Sequence, residues 1–254
     1  MGIEIRQDNF RQEDYDQFNA KIRENLKALE QLLARPGFGE GEESLGAELE
    51  FYLVDPQGQP VPCNQKILAR ADNGQLTPEL NRFNLEYNLR PQPFRGAPFA
   101  AFERELQRAL RDTNQVAAEF GAELLPIGIL PTAELAHFGH HMMTDQPRYR
   151  AMDNALRRLR GAPFEVDIDG RPPLRLQWDD VTLEGANTSF QLHWRLNPAE
   201  FVNSFNAVQL VTPIALALAA NSPLLFGHEL WQETRIALFK QSIDCRNEDR
   251  SQRK

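Results

Sequence analysis

The sequence predicts an α+β fold in which helices cover one side of a sheet and the other side is an open polar face. Three segments alternate apolar and polar residues as half-buried strands do: 45–54, 83–89 and 188–196. Two longer segments, 13–34 and 98–120, repeat apolar residues every three or four positions, as amphipathic helices do. Three such strands suit one sheet whose apolar side packs against the helices.

The first helix is predicted over residues 13–34 and ends at Pro36-Gly37. An acidic, glycine-rich loop over 37–44 leads into the first strand. The apolar face of that strand begins at Leu45, and its polar face carries two glutamates, Glu48 and Glu50. A turn-rich stretch then ends the strand.

The middle of the chain mixes further helices and strands. On the second alternating segment, the polar side carries Glu86 between two asparagines. The remaining predictions are a helix over 98–120 ending at Gly121, a buried strand over 124–130, a His-rich loop, a helix over 147–159 ending at Gly161, a hairpin turning at Asp169-Gly170, and a strand over 181–183.

In the C-terminal part, the polar face of the segment 188–196 carries Gln191 and His193. A last long helix is predicted over 198–220. Its most apolar stretch, 207–220, is shorter than the roughly 18 residues that suggest a membrane span. The prediction for that stretch is a buried core helix.

Composition indicates one soluble globular domain. The 254 residues suffice for one sizeable core, and the net charge of −8 disfavours unspecific binding to nucleic acid or to anionic lipid. Cys63 and Cys245 form no CxxC pair, and the first ten residues lack the pattern of a secretory signal. We therefore expect a cytoplasmic protein with no membrane partner; a homo-oligomer is compatible with this composition.

The strongest chemical signal is the pair Glu48 and Glu50, whose side chains point the same way about 6.6 Å apart along a strand. Each could bind a cation that prefers oxygen ligands, such as Mg²⁺. A pair of this kind is more often a solvated strand face, so the hypothesis needs support. It comes from Glu86, Gln191 and His193, which occupy polar strand faces and can converge with the pair.

Two other kinds of site lack support. The sequence contains no GxxxxGK[ST] phosphate-binding loop, and no GxGxxG follows a strand convincingly. His137, His140 and His141 have a spacing that matches no zinc pattern, so we predict a plain loop there.

A series of motifs resembles the glutamate-cysteine ligase 2 family, which includes bacterial carboxylate-amine ligases and plant-type glutamate-cysteine ligases. The motifs span residues 44–244 in the family's order: GAELEFYLVD, FNLEYNL, GILPT, QPRYRAM, NTSFQLHWRL, ALAANSPLLFG and ETRIALF. The resemblance implies a glutamine-synthetase-like fold, in which an antiparallel sheet forms a funnel where ATP and glutamate meet over Mg²⁺. Helices would pack on the outer face of that sheet.

The resemblance also implies roles for particular residues. Glu48 and Glu50 match the acidic strand motif and would be metal ligands, and Glu86 matches a later position that faces the metals or the substrate amine. Gln191 and His193 match a pair that is His-x-His in many bacterial members and Gln-x-Asn in plant-type members. The implied roles are a nucleotide contact for Gln191 and metal binding for His193, although the mixed pair leaves open which of the two binds metal.

Two arginines complete the implied site. Arg235 matches the arginine after the Asn-Ser-Pro loop and would contact the transferred phosphate, and Arg148 matches an arginine near the amino-acid substrate. The implied reaction transfers a phosphoryl group from ATP to the glutamate γ-carboxylate, after which an amine, by analogy cysteine, displaces phosphate. This chemistry serves glutathione biosynthesis in the family.

The expected organisation is a single catalytic-type domain over 1–254. It comprises an N-terminal helix and loop (1–44), a ligase core (45–244) and a tail (245–254). Familiar members are longer, so the chain is expected to be part of a longer protein. Two alternatives remain open: a non-catalytic module or regulatory pseudoenzyme that binds ATP or an amino acid, and a metal-dependent hydrolase using the same carboxylates.

Overall fold

A computed structural model describes residues 4–246 of the chain. Its helices are α1 Gln12–Leu33, α2 Asn64–Ala71, α3 Pro98–Ala118, α4 Pro147–Arg160, α5 Phe201–Ala219 and α6 Thr234–Ser242. Its strands are β1 Ser44–Val54, β2 Leu76–Pro78, β3 Asn84–Pro93, β4 Glu123–Leu125, β5 Phe164–Ile168, β6 Leu174–Trp178, β7 Phe190–Arg195, β8 Leu224–Leu225 and β9 His228–Glu229.

One antiparallel sheet organises the chain. Its strands follow the order β2-β3-β1-β4, and β7 also pairs with β1. Strand β3 pairs along residues 44–52 of one edge of β1, while β7 and β4 divide the other edge between residues 44–49 and 52–54. Of the three strands predicted from alternation, β1 therefore pairs with both of the others, β3 and β7. The predicted α+β class is confirmed.

The sheet has the two unlike faces that alternation predicts. On one face, Leu45 and Phe51 of β1 are buried in a core shared with Ile67 of α2 and Phe102 of α3. The opposite face of β1 presents Glu48, Glu50 and Tyr52, because successive side chains along a strand point to opposite sides. The helical layer thus leaves the acidic face free.

A second core closes one end of the acidic face. Tyr52 stacks on Phe83 with ring centroids 5.8 Å apart, and the same cluster includes the hairpin β5–β6 and Leu238 of α6. The Tyr52 hydroxyl donates a hydrogen bond to the Ala186 carbonyl at 2.5 Å. Because this apolar cluster covers Tyr52, the polar part of the face ends at Glu50.

Two strand predictions were wrong in extent or type. The buried stretch 124–130 forms a strand only as far as Leu125, and its remainder is irregular. Residues 181–183 form a bend and turn before a short 3₁₀ helix, not a strand. Val181 and Leu183 are nevertheless fully buried. A short run of apolar residues indicates burial, but it does not determine the backbone conformation.

The prediction of a buried core helix over 207–220 was also wrong. None of the residues of α5 is buried, and Leu218 is 85% exposed. Together with the preceding 3₁₀ turn, the helix is the one segment of the described chain that is long and apolar enough to cross a membrane by length and composition. The apolar residues of this helix are therefore not buried in a core formed by residues 4–246.

The division of residues 1–254 into one domain with three parts stays a prediction. The first part does contain the predicted helix, α1, whose apolar stripe is exposed, as Phe18 shows at 62%. Most of the predicted tail, from residue 247 onward, lies outside the described residues.

Candidate active site

Three carboxylates from separate elements meet on the acidic face. Glu50 lies on β1, Glu86 on β3, and Glu79 in the connection between β2 and β3. One oxygen from each lies within 4.8 Å of one oxygen from each of the others, and this is the one such group found in residues 4–246. The sheet register creates it, because Glu50 stands directly opposite Glu86 in the β1–β3 pairing.

Neighbouring hydrogen bonds fix the directions of two of these carboxylates. Glu86 Oε1 accepts from the Thr77 hydroxyl at 2.9 Å and from the Asn88 amide at 2.6 Å. Glu50 accepts from the backbone N–H of Ser189 and from the side-chain amide of Gln191, both at 2.9 Å. The cluster is thus held by the strands on both sides of β1.

The electrostatics of the cluster favour a bound cation. Burial raises the pKa of Glu79 to about 8, and the nearby charges of Glu50 and Glu86 add to the increase. Burial also raises the pKa of Glu50, with a smaller contribution from Glu86. Carboxylates this close repel one another when ionised, and a cation between them relieves that cost. Because every donor is a carboxylate oxygen, the set fits hard cations such as Mg²⁺.

A large cavity of about 1070 Å³ opens beside Glu50. Gln191, Arg235 and Lys240 line it together with Glu184, and residues of α5 form another part of its wall. Burial, followed by the charge of Glu50, raises the pKa of Glu184 to about 7. The cavity wall thus combines cationic and acidic side chains.

Arg235, in the first turn of α6, is held firmly at the wall of this cavity. Its Nε and Nη2 donate to the Glu233 carboxylate at 2.9 and 2.8 Å, and Nη1 donates to the Thr188 carbonyl at 2.7 Å. Gly128 packs against it so closely that an added Cβ would lie 2.8 Å from Arg235 Nε. The guanidinium is therefore preorganised.

A smaller cavity of about 480 Å³ is lined by two of the carboxylates, Glu79 and Glu86, and by Arg148. Arg148 stands at the start of α4, where its Nη2 donates to the Tyr149 hydroxyl at 2.7 Å and to the Pro78 carbonyl at 3.2 Å. The sequence-predicted arginines thus lie in two different cavities that share the acidic cluster as a border.

Glu48 and His193 lie outside the carboxylate group. His193 Nε2 is 3.4 Å from Glu48 Oε1, and the His193 side chain is 54% exposed. Of the five polar residues expected to converge, the structure brings Glu50, Glu86 and Gln191 into direct or shared contact. Glu48 and His193 lie further along the same face of the sheet. Their metal-binding roles remain predictions.

Sequence reasoning missed Glu79 and Glu184. Both lie in irregular segments, one between two strands and one in a 3₁₀ turn, where no periodicity assigns a side chain to a face. The one available signal for Glu79 is that it closely precedes the strand of Glu86. Such proximity alone does not predict contact.

The His-rich segment forms two short 3₁₀ turns. His140 Nε2 lies 2.8 Å from Asp153 Oδ2, and this carboxylate is buried on α4. None of His137, His140 and His141 belongs to the carboxylate group at the site.

The antiparallel sheet thus carries three carboxylates that could hold a cation, beside two cavities lined by arginines. The model of Glutamate-cysteine ligase family 2 matches residues 44–248, and the chain belongs to that family. Membership implies a ligase-type enzyme with ATP-dependent carboxylate-amine ligase activity. No curated protein matches the chain.

Proposed function

We propose that the chain joins the γ-carboxylate of glutamate to an amine at the expense of ATP, through an acyl phosphate. The arrangement of Glu50, Glu79 and Glu86 between the cavities of Arg235 and Arg148 carries this proposal. Such a reaction brings two anionic substrates together, and an acidic protein needs local positive charge to hold them. The glutamine-synthetase-like funnel is part of the proposal.

The larger cavity suits the nucleotide. Its volume of about 1070 Å³ lies just above the roughly 300–1,000 Å³ usual for small-molecule sites. Arg235 and Lys240 can neutralise phosphate oxygens there, and Arg235 needs no reorganisation as charge develops on the transferred group. Gln191 borders the cavity and could contact the nucleotide directly.

The smaller cavity suits the amino-acid substrate. Arg148 offers a guanidinium to a carboxylate, and Glu79 or Glu86 can accept hydrogen bonds from an ammonium group. A glutamate bound there would have its γ-carboxylate directed toward the acidic cluster and the nucleotide. The cavity thus supports glutamate as substrate, and cysteine as the amine comes from the family resemblance.

Glu50, Glu79 and Glu86 would hold Mg²⁺, and Glu48 with His193 would hold a second ion further along the sheet. Bound Mg²⁺ supplies positive charge to phosphate oxygens during phosphoryl transfer. The protein's own groups then orient the reactants and exclude competing geometries. Glu184 borders the larger cavity, and its pKa of about 7 suits acceptance of the proton that the attacking amine must lose.

An assay of ADP release tests the proposal against its alternatives. The chain is incubated with ATP, Mg²⁺, glutamate and a panel of amines that includes cysteine. Ligase activity gives release that depends on both glutamate and an amine. Saturable ATP binding without turnover indicates a binding module or pseudoenzyme, and amide cleavage without ATP indicates a hydrolase.

Cytoplasmic location, glutathione biosynthesis as the physiological role, and small-molecule substrates in place of nucleic acid or membrane also belong to the proposal. Homo-oligomerisation is not required by it, since the three carboxylates and both arginines come from one chain.

A further inference from the structure

The N-terminal segment, defined as residues 4–10, is fastened along α4. Arg150 Nε lies 2.8 Å from Asp8 Oδ2, and the hydrogen bond from Arg150 lowers the pKa of Asp8. The Asn154 side-chain amide donates to the Asp8 carbonyl at 3.2 Å. Asp8 therefore anchors this segment one helical turn from the start of α4.

The anchor brings the Glu4 carboxylate to the start of α4. Glu4 Oε1 accepts from the backbone N–H of Arg148 at 3.4 Å, and Glu4 Oε2 lies 3.7 Å from Arg148 Nε. Because α4 begins at Pro147, the Arg148 N–H is one of the amides that a helix leaves without an internal partner. A helix N-terminus beside a guanidinium attracts a carboxylate.

This carboxylate forms part of the wall of the smaller cavity, together with Glu79, Glu86 and Arg148. The Arg148 side chain is 23% exposed and that of Glu4 is 46% exposed. Ion pairs this accessible to solvent contribute little stability, so a ligand can displace Glu4. The Glu4 carboxylate thus lies beside the Arg148 guanidinium, which would otherwise bind a carboxylate of the substrate.

We infer that the N-terminal segment is a tethered competitor: Glu4 occupies the carboxylate position at Arg148, and the amino-acid substrate must displace it. The inference rests on the proposed function, since it assigns the smaller cavity to glutamate. Ile5, Arg6 and Gln7 separate Glu4 from its anchor, and so short a tether holds the carboxylate at an effective concentration in the millimolar range. The segment therefore raises the apparent Kd for the substrate.

The test compares four proteins that each span residues 1–254: the wild type, Glu4→Gln, Asp8→Asn and the control Glu30→Gln. Glu30 lies on the exposed α1, so the control removes the same charge elsewhere. Glutamate binding is measured by calorimetry with Mg²⁺ and ADP present. Glu4→Gln and Asp8→Asn should each lower the Kd for glutamate by about two- to fivefold, the range for an exposed ion pair, and Glu30→Gln should leave it unchanged.

Hydrogen exchange provides a readout independent of catalysis. In the wild type, added glutamate should speed exchange in residues 4–10, and Glu4→Gln should speed exchange at the first turn of α4 before any ligand is added. An equal or weaker glutamate affinity in Glu4→Gln would overturn the inference and leave the proposed function standing. If none of the four proteins bound glutamate, the proposed function would fail, and the inference with it.

Discussion

The side-chain amide of Gln191 donates to Glu50 Oε1 at 2.9 Å, although Gln191 stands opposite Glu48 in the β1–β7 register. His193 stands opposite Gly46 and likewise reaches diagonally, to Glu48. Diagonal neighbours on an antiparallel pair lie close enough for long side chains to meet. Gln191 and His193 therefore each contact the glutamate two positions further along β1 than their register partner.

This relationship predicts different effects for the two residues. Gln191→Ala removes the donor that orients Glu50 and should weaken Mg²⁺ binding by roughly 10- to 100-fold, as loss of a group that orients a ligand does. His193→Ala should have a smaller effect, because its partner Glu48 lies outside the carboxylate group. Calorimetric titration with Mg²⁺ measures both variants, and equal losses would argue that Glu48 shares the first ion.

The acidic cluster predicts a pH-dependent stability in the metal-free protein. The pKa of Glu79 is about 8 in the folded chain, above its ordinary 4.5, so the folded state holds the extra proton between these values. The free energy of unfolding contributed by this group therefore falls as pH rises from about 4.5 to about 8. Melting temperatures in chelator should be lower at pH 8 than at pH 6.

Glu79→Gln is the matched variant for that measurement. It keeps the shape of the side chain and removes the titrating group, so the decline in melting temperature between pH 6 and pH 8 should shrink. Added Mg²⁺ should stabilise the wild type more than the variant, because binding to the folded state alone raises its stability. An identical pH dependence in the two proteins would assign the decline to other groups.

Arg235→Ala should lower turnover by about a hundredfold or more, the effect of losing one preorganised charge or donor at the reacting group. The chain should still fold, with a modest loss of stability because Glu233 loses its partner. Steady-state ADP release and circular dichroism measure the two effects. Arg70→Ala, which breaks an exposed pair with Glu119, is the control. An undiminished rate in Arg235→Ala would remove Arg235 from this role.

Gly128→Ala tests the position of the same arginine without removing its charge. The added methyl would press on Arg235 Nε and on the Asn221 side chain, so we expect weaker nucleotide binding and slower turnover. Gly74→Ala is the matched control, because its Cβ would meet no atom within 4 Å. Nucleotide affinity measured by calorimetry should fall in the first variant and hold in the second.

Arg148→Ala should raise the KM for glutamate by about tenfold or more, the value of a hydrogen bond to a charged group. The Kd for ATP should change little, since Arg148 lines the smaller cavity and not the larger one. Separate titrations of the two substrates distinguish these effects. A matching loss of ATP affinity would contradict the assignment of the two substrates to two cavities.

Alternation in the sequence predicts the strands that carry Glu48, Glu50 and Glu86, because it indicates which side of each strand faces water. The sequence also carries the motifs of the family, which the match over residues 44–248 confirms. Local pattern suffices for such features, since strand periodicity is a property of consecutive residues.

Which of these side chains come into contact depends on how distant segments pack together. The register that sets Glu50 opposite Glu86, the entry of Glu79 from an irregular connection and the separation of Arg235 from Arg148 all depend on contacts between distant segments. The tertiary structure also shows α5 exposed where apolar composition predicted burial. Composition measures how favourable burial would be, and the presence of a neighbouring surface decides whether burial occurs.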